Sequence, residues 1–287
     1  MKSTDDSAQR ASAVGFRRGS WLAVCIVVAA VALSFVPTAD TVGESHVDEA
    51  FKRAMIGFAL ARALNGVISV AQGTELAVQP AGIGVNFTPG EILDPINDLV
   101  ERFSWIMMLA ASSLGIQKVL LAMSAWDGLL IALAACGMLL AATHLIKSTG
   151  RLLQVLKRLF LFLLILRFMM PAISIANDWV YKAFLEADFI EASASLEQAQ
   201  KAIGNINEEM LSKQPEPSSL MERAKSMYQN ALNRMDLDST LQRYRVAAES
   251  ISENTIRLVV VFLMQTIVFP LVFLLIVLGI IRRVFRF

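Results

Sequence analysis

The stretch LVVVFLMQTIVFPLVFLLIVLGII, residues 258–281, decides the fold class. It carries no charge, and as a helix it reaches about 36 Å, enough to cross roughly 30 Å of hydrocarbon. In lipid every backbone N–H and C=O must find its partner within the segment, so the stretch is helical. Three further segments pass the same test. Residues 19–37 have the core WLAVCIVVAAVALSFV, residues 129–146 read LLIALAACGMLLAATHLI, and residues 159–176 read LFLFLLILRFMMPAISIA, interrupted by Arg167. The whole chain is 55% apolar and 18% charged with two cysteines, which excludes a disordered chain and a disulfide scaffold. A net charge of +1 gives no sign of a nucleic-acid partner.

Charge in the flanks sets the expected topology. Lys2, Arg10, Arg17 and Arg18 precede the first span. Lys147, Arg151, Lys157 and Arg158 fill the link 147–158, and Arg282, Arg283 and Arg286 follow the last span. By contrast, 38–102 holds nine acids and four bases, and 178–256 holds thirteen acids and eight bases. Basic flanks stay on the cytoplasmic side. Four spans put all three there, with both termini inside and both acidic segments outside. The stretch FSWIMMLAASSLGI, 103–116, is apolar for 14 residues before Gln117 and Lys118 and suits an interfacial, re-entrant or buried helix better than a span. Counting it as a fifth span would move a basic flank to the wrong side. Trp21, Trp126 and Trp179 fall at expected span ends, where indole favours the headgroup level. The N-terminal segment reads as an anchor, because no good small-residue cleavage site follows it.

The outer segments read as helical. In 38–128 an amphipathic helix is expected over 46–72, from Phe51, Met55, Phe58, Ala59 and Ala63. Glu75–Gln79 and Ile83–Phe87 flank Pro80-Ala-Gly82 and read as a short hairpin or an irregular loop, with a capping box at Thr88-Pro-Gly-Glu91. A helix over 95–123 then opens at Asp94-Pro95, and Ser124-Ala-Trp-Asp127 is read as a fresh cap for the second span. In 177–257, Phe189, Leu196, Ile203 and Met210 fall seven apart, with Leu185, Ala192, Ala199 and Ile206 at the complementary offset. After a break at Pro215-Glu-Pro217 the pattern resumes with Leu220, Ala224, Met227 and Ala231. A re-cap at Asp238-Ser239 is expected before Leu241, Tyr244, Ala248, Ile251, Thr255 and Leu258. This is an antiparallel helical hairpin. It either projects as a stalk or folds back on 38–128, and the sequence permits both.

Candidate functional groups are few. Arg167, midway along the third span, is either a pathway charge or a structural one, with Asp127, Gln265 or carbonyls freed near Pro171 as partners. Gln265 shares the fourth span with Pro270, and His144 sits near the inner end of the second. Cys25 and Cys136, in different spans, are expected as free thiols. His46-Val-Asp48-Glu49 has ligand-type residues, but a solvated helix start explains them, so no metal site is expected. The chain lacks H-E-x-x-H, G-x-x-x-x-G-K-[ST] and G-x-S-x-G, and no catalytic residue or cofactor is expected.

The sequence therefore predicts an all-α integral membrane protein of four transmembrane helices, N-in and C-in. Its parts are a basic N-terminus 1–18, spans 19–37, 129–146, 159–176 and 258–281, outer segments 38–128 and 177–257, a basic loop 147–158 and a basic tail 282–287. The expected setting is a bacterial inner membrane. The expected role is a scaffold or assembly subunit whose outer hairpin, through Leu185, Phe189, Leu196, Ile203, Met210, Leu241, Tyr244 and Ile251, meets a protein partner or a second copy. The alternative is an oligomeric channel or small-solute transporter using Arg167 and Gln265.

Overall fold

The computed structural model describes residues 21–74, 76–78, 85–87, 89–146, 150–212 and 220–285. The basic residues of 1–18, the turn at 80–82, Thr88, Lys147, the proline break at 215–217 and Arg286 lie outside the described residues, as do the side chains of Leu220, Ala224, Met227 and Ala231.

The described chain is almost entirely helical. Helix α1 (Trp21–Ser34) is followed by α2 (Thr38–Gly73), a two-stranded antiparallel ribbon of β1 (Leu76–Val78) and β2 (Val85–Phe87), and a 3₁₀ turn at Pro89–Leu93. Then come α3 (Asp94–Ser124), α4 (Asp127–Leu145), α5 (Arg151–Phe184), α6 (Glu186–Ser212) and α7 (Leu220–Leu263). A π-helical turn, Met264–Val268, joins α7 to α8 (Phe269–Phe285). Five helical stretches are long and apolar enough to cross a membrane: Thr38–Gly73, Gly90–Ser124, Asp127–His144, Arg151–Phe184 and Asp238–Arg283. The chain has the make-up of a multi-pass membrane protein. All four tryptophans are more than half exposed, as indoles at a lipid interface are.

Several boundaries differ from expectation for local reasons. The helix expected over 46–72 begins at Thr38, because the Pro37 carbonyl accepts from the N–H groups of Asp40 and Thr41 and starts the first turn. Its charges crowd into the N-terminal part, leaving 54–71 with Arg62 alone, so α2, expected as an amphipathic outer helix, is long and apolar enough to cross a membrane, as is the stretch Gly90–Ser124 that loop charge argued against. The basic link 147–158 is helical from Arg151 onward. Ser124 does not cap α4: its hydroxyl donates to the Leu121 carbonyl, and the capping position is Trp126, without a side-chain bond. Helix α7 runs through Asp238-Ser239 with no re-cap. The π turn ends at Val268, two residues before Pro270. Proline supplies no N–H to the Thr266 carbonyl and its ring crowds that oxygen, and a widened turn accommodates both, with Phe269 N–H bonding back to Met264.

The chain divides into two compact units, and the boundaries fall within helices. The first comprises Met1–Glu49, Gly115–Asp178 and Pro270–Phe287. Its core joins Val27 of α1, Leu133, Cys136 and Leu140 of α4, and Phe160 of α5. The second comprises Ala50–Leu114 and Trp179–Phe269. There the α6 face of Phe189, Ala192, Leu196, Ile203 and Met210 packs with Tyr244 and Ile251 of α7. The same core takes in Ala54, Ala61, Leu64 and Ile68 of α2 and Phe103, Met107 and Leu114 of α3. The hairpin arms thus fold back on residues 50–114, which decides between the two arrangements the sequence left open. Small residues on α2 permit the approach: a Cβ on Gly57 would come within 2.8 Å of the Met107 sulfur.

Gly90 has a stricter role. A Cβ there would lie 2.1 Å from the Ala71 carbonyl oxygen, a backbone atom that cannot turn aside. Gly90→Ala is expected to destabilise the protein by about 1–3 kcal/mol, the usual cost of overpacking. Gly66→Ala meets open space within α2 and should raise stability by about 0.4–1 kcal/mol. Thermal unfolding of the two variants in detergent checks the contrast, and equal melting temperatures would contradict the packing at Gly90.

Candidate functional site

Arg167 lies on α5 with its side chain 1% exposed, and both edges of its guanidinium are occupied. Nη1 and Nη2 donate to Oδ1 and Oδ2 of Asp40 at 2.6 and 2.5 Å, a bidentate pair. Nε and Nη2 also donate to the Ser34 carbonyl at 3.2 and 3.0 Å. The chain makes this arrangement available by breaking between α1 and α2. The carbonyls in the last turn of a helix have no partner further along it, and Ser34 ends α1. Asp40 sits in the first turn of α2, where the helix dipole favours an anion. A cation beside the C-terminal end of one helix and an anion at the N-terminal end of the next are each favourably placed. The partners are Asp40 and Ser34 rather than Asp127, Gln265 or carbonyls near Pro171. Sequence reading missed Asp40 because it follows Pro37, in a segment assigned to the exterior.

A second polar cluster lies in the same unit. His46 Nδ1 is 3.1 Å from Asp178 Oδ2, and one ligand-type atom from each of His46, Glu49 and Asp178 falls within 4.8 Å of the others. It is the one such group among the described residues. Nearby contacts fix the same helices: Ser174 Oγ donates to the Gly43 carbonyl at 2.7 Å, and Lys118 pairs with Asp48 at 2.7 Å. His46 was expected at a solvated helix start. It instead stands in the third turn of α2 with an 18% exposed side chain, while Asp178 is 6% exposed.

The remaining candidates are dispersed. Gln265 is buried in the π turn and its Oε1 accepts no hydrogen bond, whereas Thr266 Oγ1 donates to the Phe262 carbonyl at 2.6 Å. His144 occupies the last turn of α4. Cys25 and Cys136 are free thiols. Among the hairpin residues assigned to a partner, Leu185, Phe189, Leu196, Ile203, Met210, Tyr244 and Ile251 are buried in the internal core. Leu241 is half-buried. Their heptad spacing is occupied by intramolecular packing, so the face left for a partner is the outward one. Tyr244 is held by its hydroxyl, which donates to Asn207 Oδ1 at 2.8 Å, while Asn207 Nδ2 donates to the Val67 carbonyl at 2.9 Å. Burial pushes the Tyr244 phenol up to about 12, against the opposing pull of Arg243. On the outward side of α6 and α7 a cleft of about 650 Å³ is lined by small and polar groups, among them Ser195, Gln198, Ala202, Gln242 and Arg243, with Val246.

No protein-family model matches the chain, and neither do any curated proteins or solved structures.

The Arg167 contacts make a prediction that separates structure from transport. Arg167→Leu leaves the Asp40 carboxylate without its partner and should cost about 3–5 kcal/mol. Adding Asp40→Asn removes that charge and should recover most of the loss, which a double-mutant cycle on detergent-solubilised protein measures. Additive losses in the cycle would contradict the pairing.

Proposed function

We propose that the chain is a non-catalytic, multi-pass membrane scaffold or assembly subunit. It crosses a bacterial inner membrane four times with both ends on the basic side. It meets a protein partner, or a second copy of itself, through the outward face of the α6–α7 hairpin. The observation that carries this reading is the commitment of Arg167. A charge that served a moving ion or solute would keep donors free to meet it, whereas Asp40 and Ser34 occupy both edges of this guanidinium. The outward cleft supports the choice of surface, because Gln198, Gln242 and Arg243 offer hydrogen-bonding groups around the exposed Val246.

Gln265 favours a second reading, the oligomeric channel or small-solute transporter. Its buried, unpaired Oε1 stands at a widened helical turn, and such turns often serve function.

The experiment that tests the proposal uses the full chain with a photo-crosslinking residue at Gln198 or Val246, and at lipid-facing Leu139 as control. A discrete protein adduct at the two hairpin positions but not at Leu139, abolished by Gln242→Arg in the same cleft, is the expected result. The same preparation in liposomes should pass ions and small solutes no faster than empty vesicles. A flux that Gln265→Leu abolishes would overturn the scaffold reading in favour of the second.

A further inference from the structure

We infer that His46, Glu49 and Asp178 form a binding site for a divalent transition-metal cation of the zinc type. His46 and Glu49 are three residues apart on α2, so their side chains share one helix face. Asp178, from α5, closes the set from a different helix. One nitrogen and two carboxylate oxygens are the donor set that borderline divalent metals take, and three protein ligands leave a position for water or a further group.

The contact between His46 and Asp178 points to a cation rather than to a hydrogen bond. Nδ1 and Oδ2 approach to 3.1 Å, yet Nδ1 has no aligned hydrogen-bond partner. An imidazole nitrogen and a carboxylate oxygen this close, with no aligned N–H between them, are accommodated by a cation that lies off the line joining them. Two ligands held at 2.0–2.1 Å from a tetrahedral metal stand about 3.3 Å apart, which is close to the separation found. The widest separation in the group, at most 4.8 Å, involves a residue that can adjust: Glu49 is exposed and free to swing inward. Charge argues the same way: a divalent cation between two carboxylates offsets their mutual repulsion. The metal ties α2 to α5 close to the Ser174–Gly43 contact.

This inference does not depend on the scaffold reading. Purified full-length protein, stripped with chelator and returned to metal-free buffer, is titrated with Zn²⁺ by calorimetry and with Co²⁺ by visible absorption. One ion per chain and the intense absorption of low-coordinate Co²⁺ are expected. Glu49→Gln, an exposed substitution that leaves folding intact, should weaken binding by more than the roughly 10–100-fold that loss of an outer-shell partner costs. His46→Gln should do the same, while Glu44→Gln, which alters an exposed acid on α2 outside the set, should leave affinity within about twofold of the parent. No saturable binding, or equal affinity in Glu49→Gln and the parent, overturns the site. So does binding that Glu44→Gln abolishes as fully as Glu49→Gln.

Discussion

A guanidinium with no water around it is the constraint on which the first compact unit depends. Arg167 is large, always charged and almost wholly buried, and it is tolerable there only because every side of it is answered. Asp40 answers with a carboxylate and Ser34 with a carbonyl, and both are available because the chain interrupts its helix at residues 35–37. An unbroken helix through that region would have kept the Ser34 carbonyl for its own ladder. The proline that ends α1 and starts α2 is therefore part of the solution for a charge more than a hundred residues away. Polar contacts further along α2, from Gly43 to Asp48, then hold it against α3 and α5.

The second unit is organised by apolar packing. Heptad positions on α6 and α7 meet each other and also the small-residue face of α2 and the buried stripe of α3. Such a core needs little polar help, and the contacts it has are specific. The Tyr244–Asn207–Val67 chain links α7, α6 and α2 through two hydrogen bonds and fixes how the helices register. Edge-on aromatic contacts between Tyr181, Phe189 and Phe262 add a second point of register.

The helical character, the apolar segments at 129–146, 159–176 and 258–281, and the heptads of α6 could be read from the sequence because each is written in local periodicity. The hairpin strands and the start of α3 at Asp94 were likewise visible, since turn and capping residues carry local signals. What periodicity cannot carry is which elements meet. Phe189 and Leu196 have the same spacing whether they face a partner or α2. Asp40 looks like a solvated acid until α5 brings Arg167 to it. His46 and Glu49 look like an ordinary helix turn until Asp178 joins them. Uninterrupted helix through Asp238-Ser239 is a different failure: a good capping pair was present, but the helix continues into Tyr244, Ala248 and Ile251, whose packing favours its continuation.

The central claim of the proposed topology is that residues 50–114 and 179–257 belong on the side of the membrane opposite the basic flanks. Single cysteines at Gly66, Asn205 and Gly150, in a chain with Cys25 and Cys136 replaced by alanine, test it through labelling of intact cells with an impermeant maleimide. The account predicts labelling at 66 and 205, and protection of 150 until the membrane is opened. Protection of 66 together with labelling of 205 would make α2 a span in its own right and contradict the four-span account. Labelling of 150 in intact cells would contradict the orientation itself.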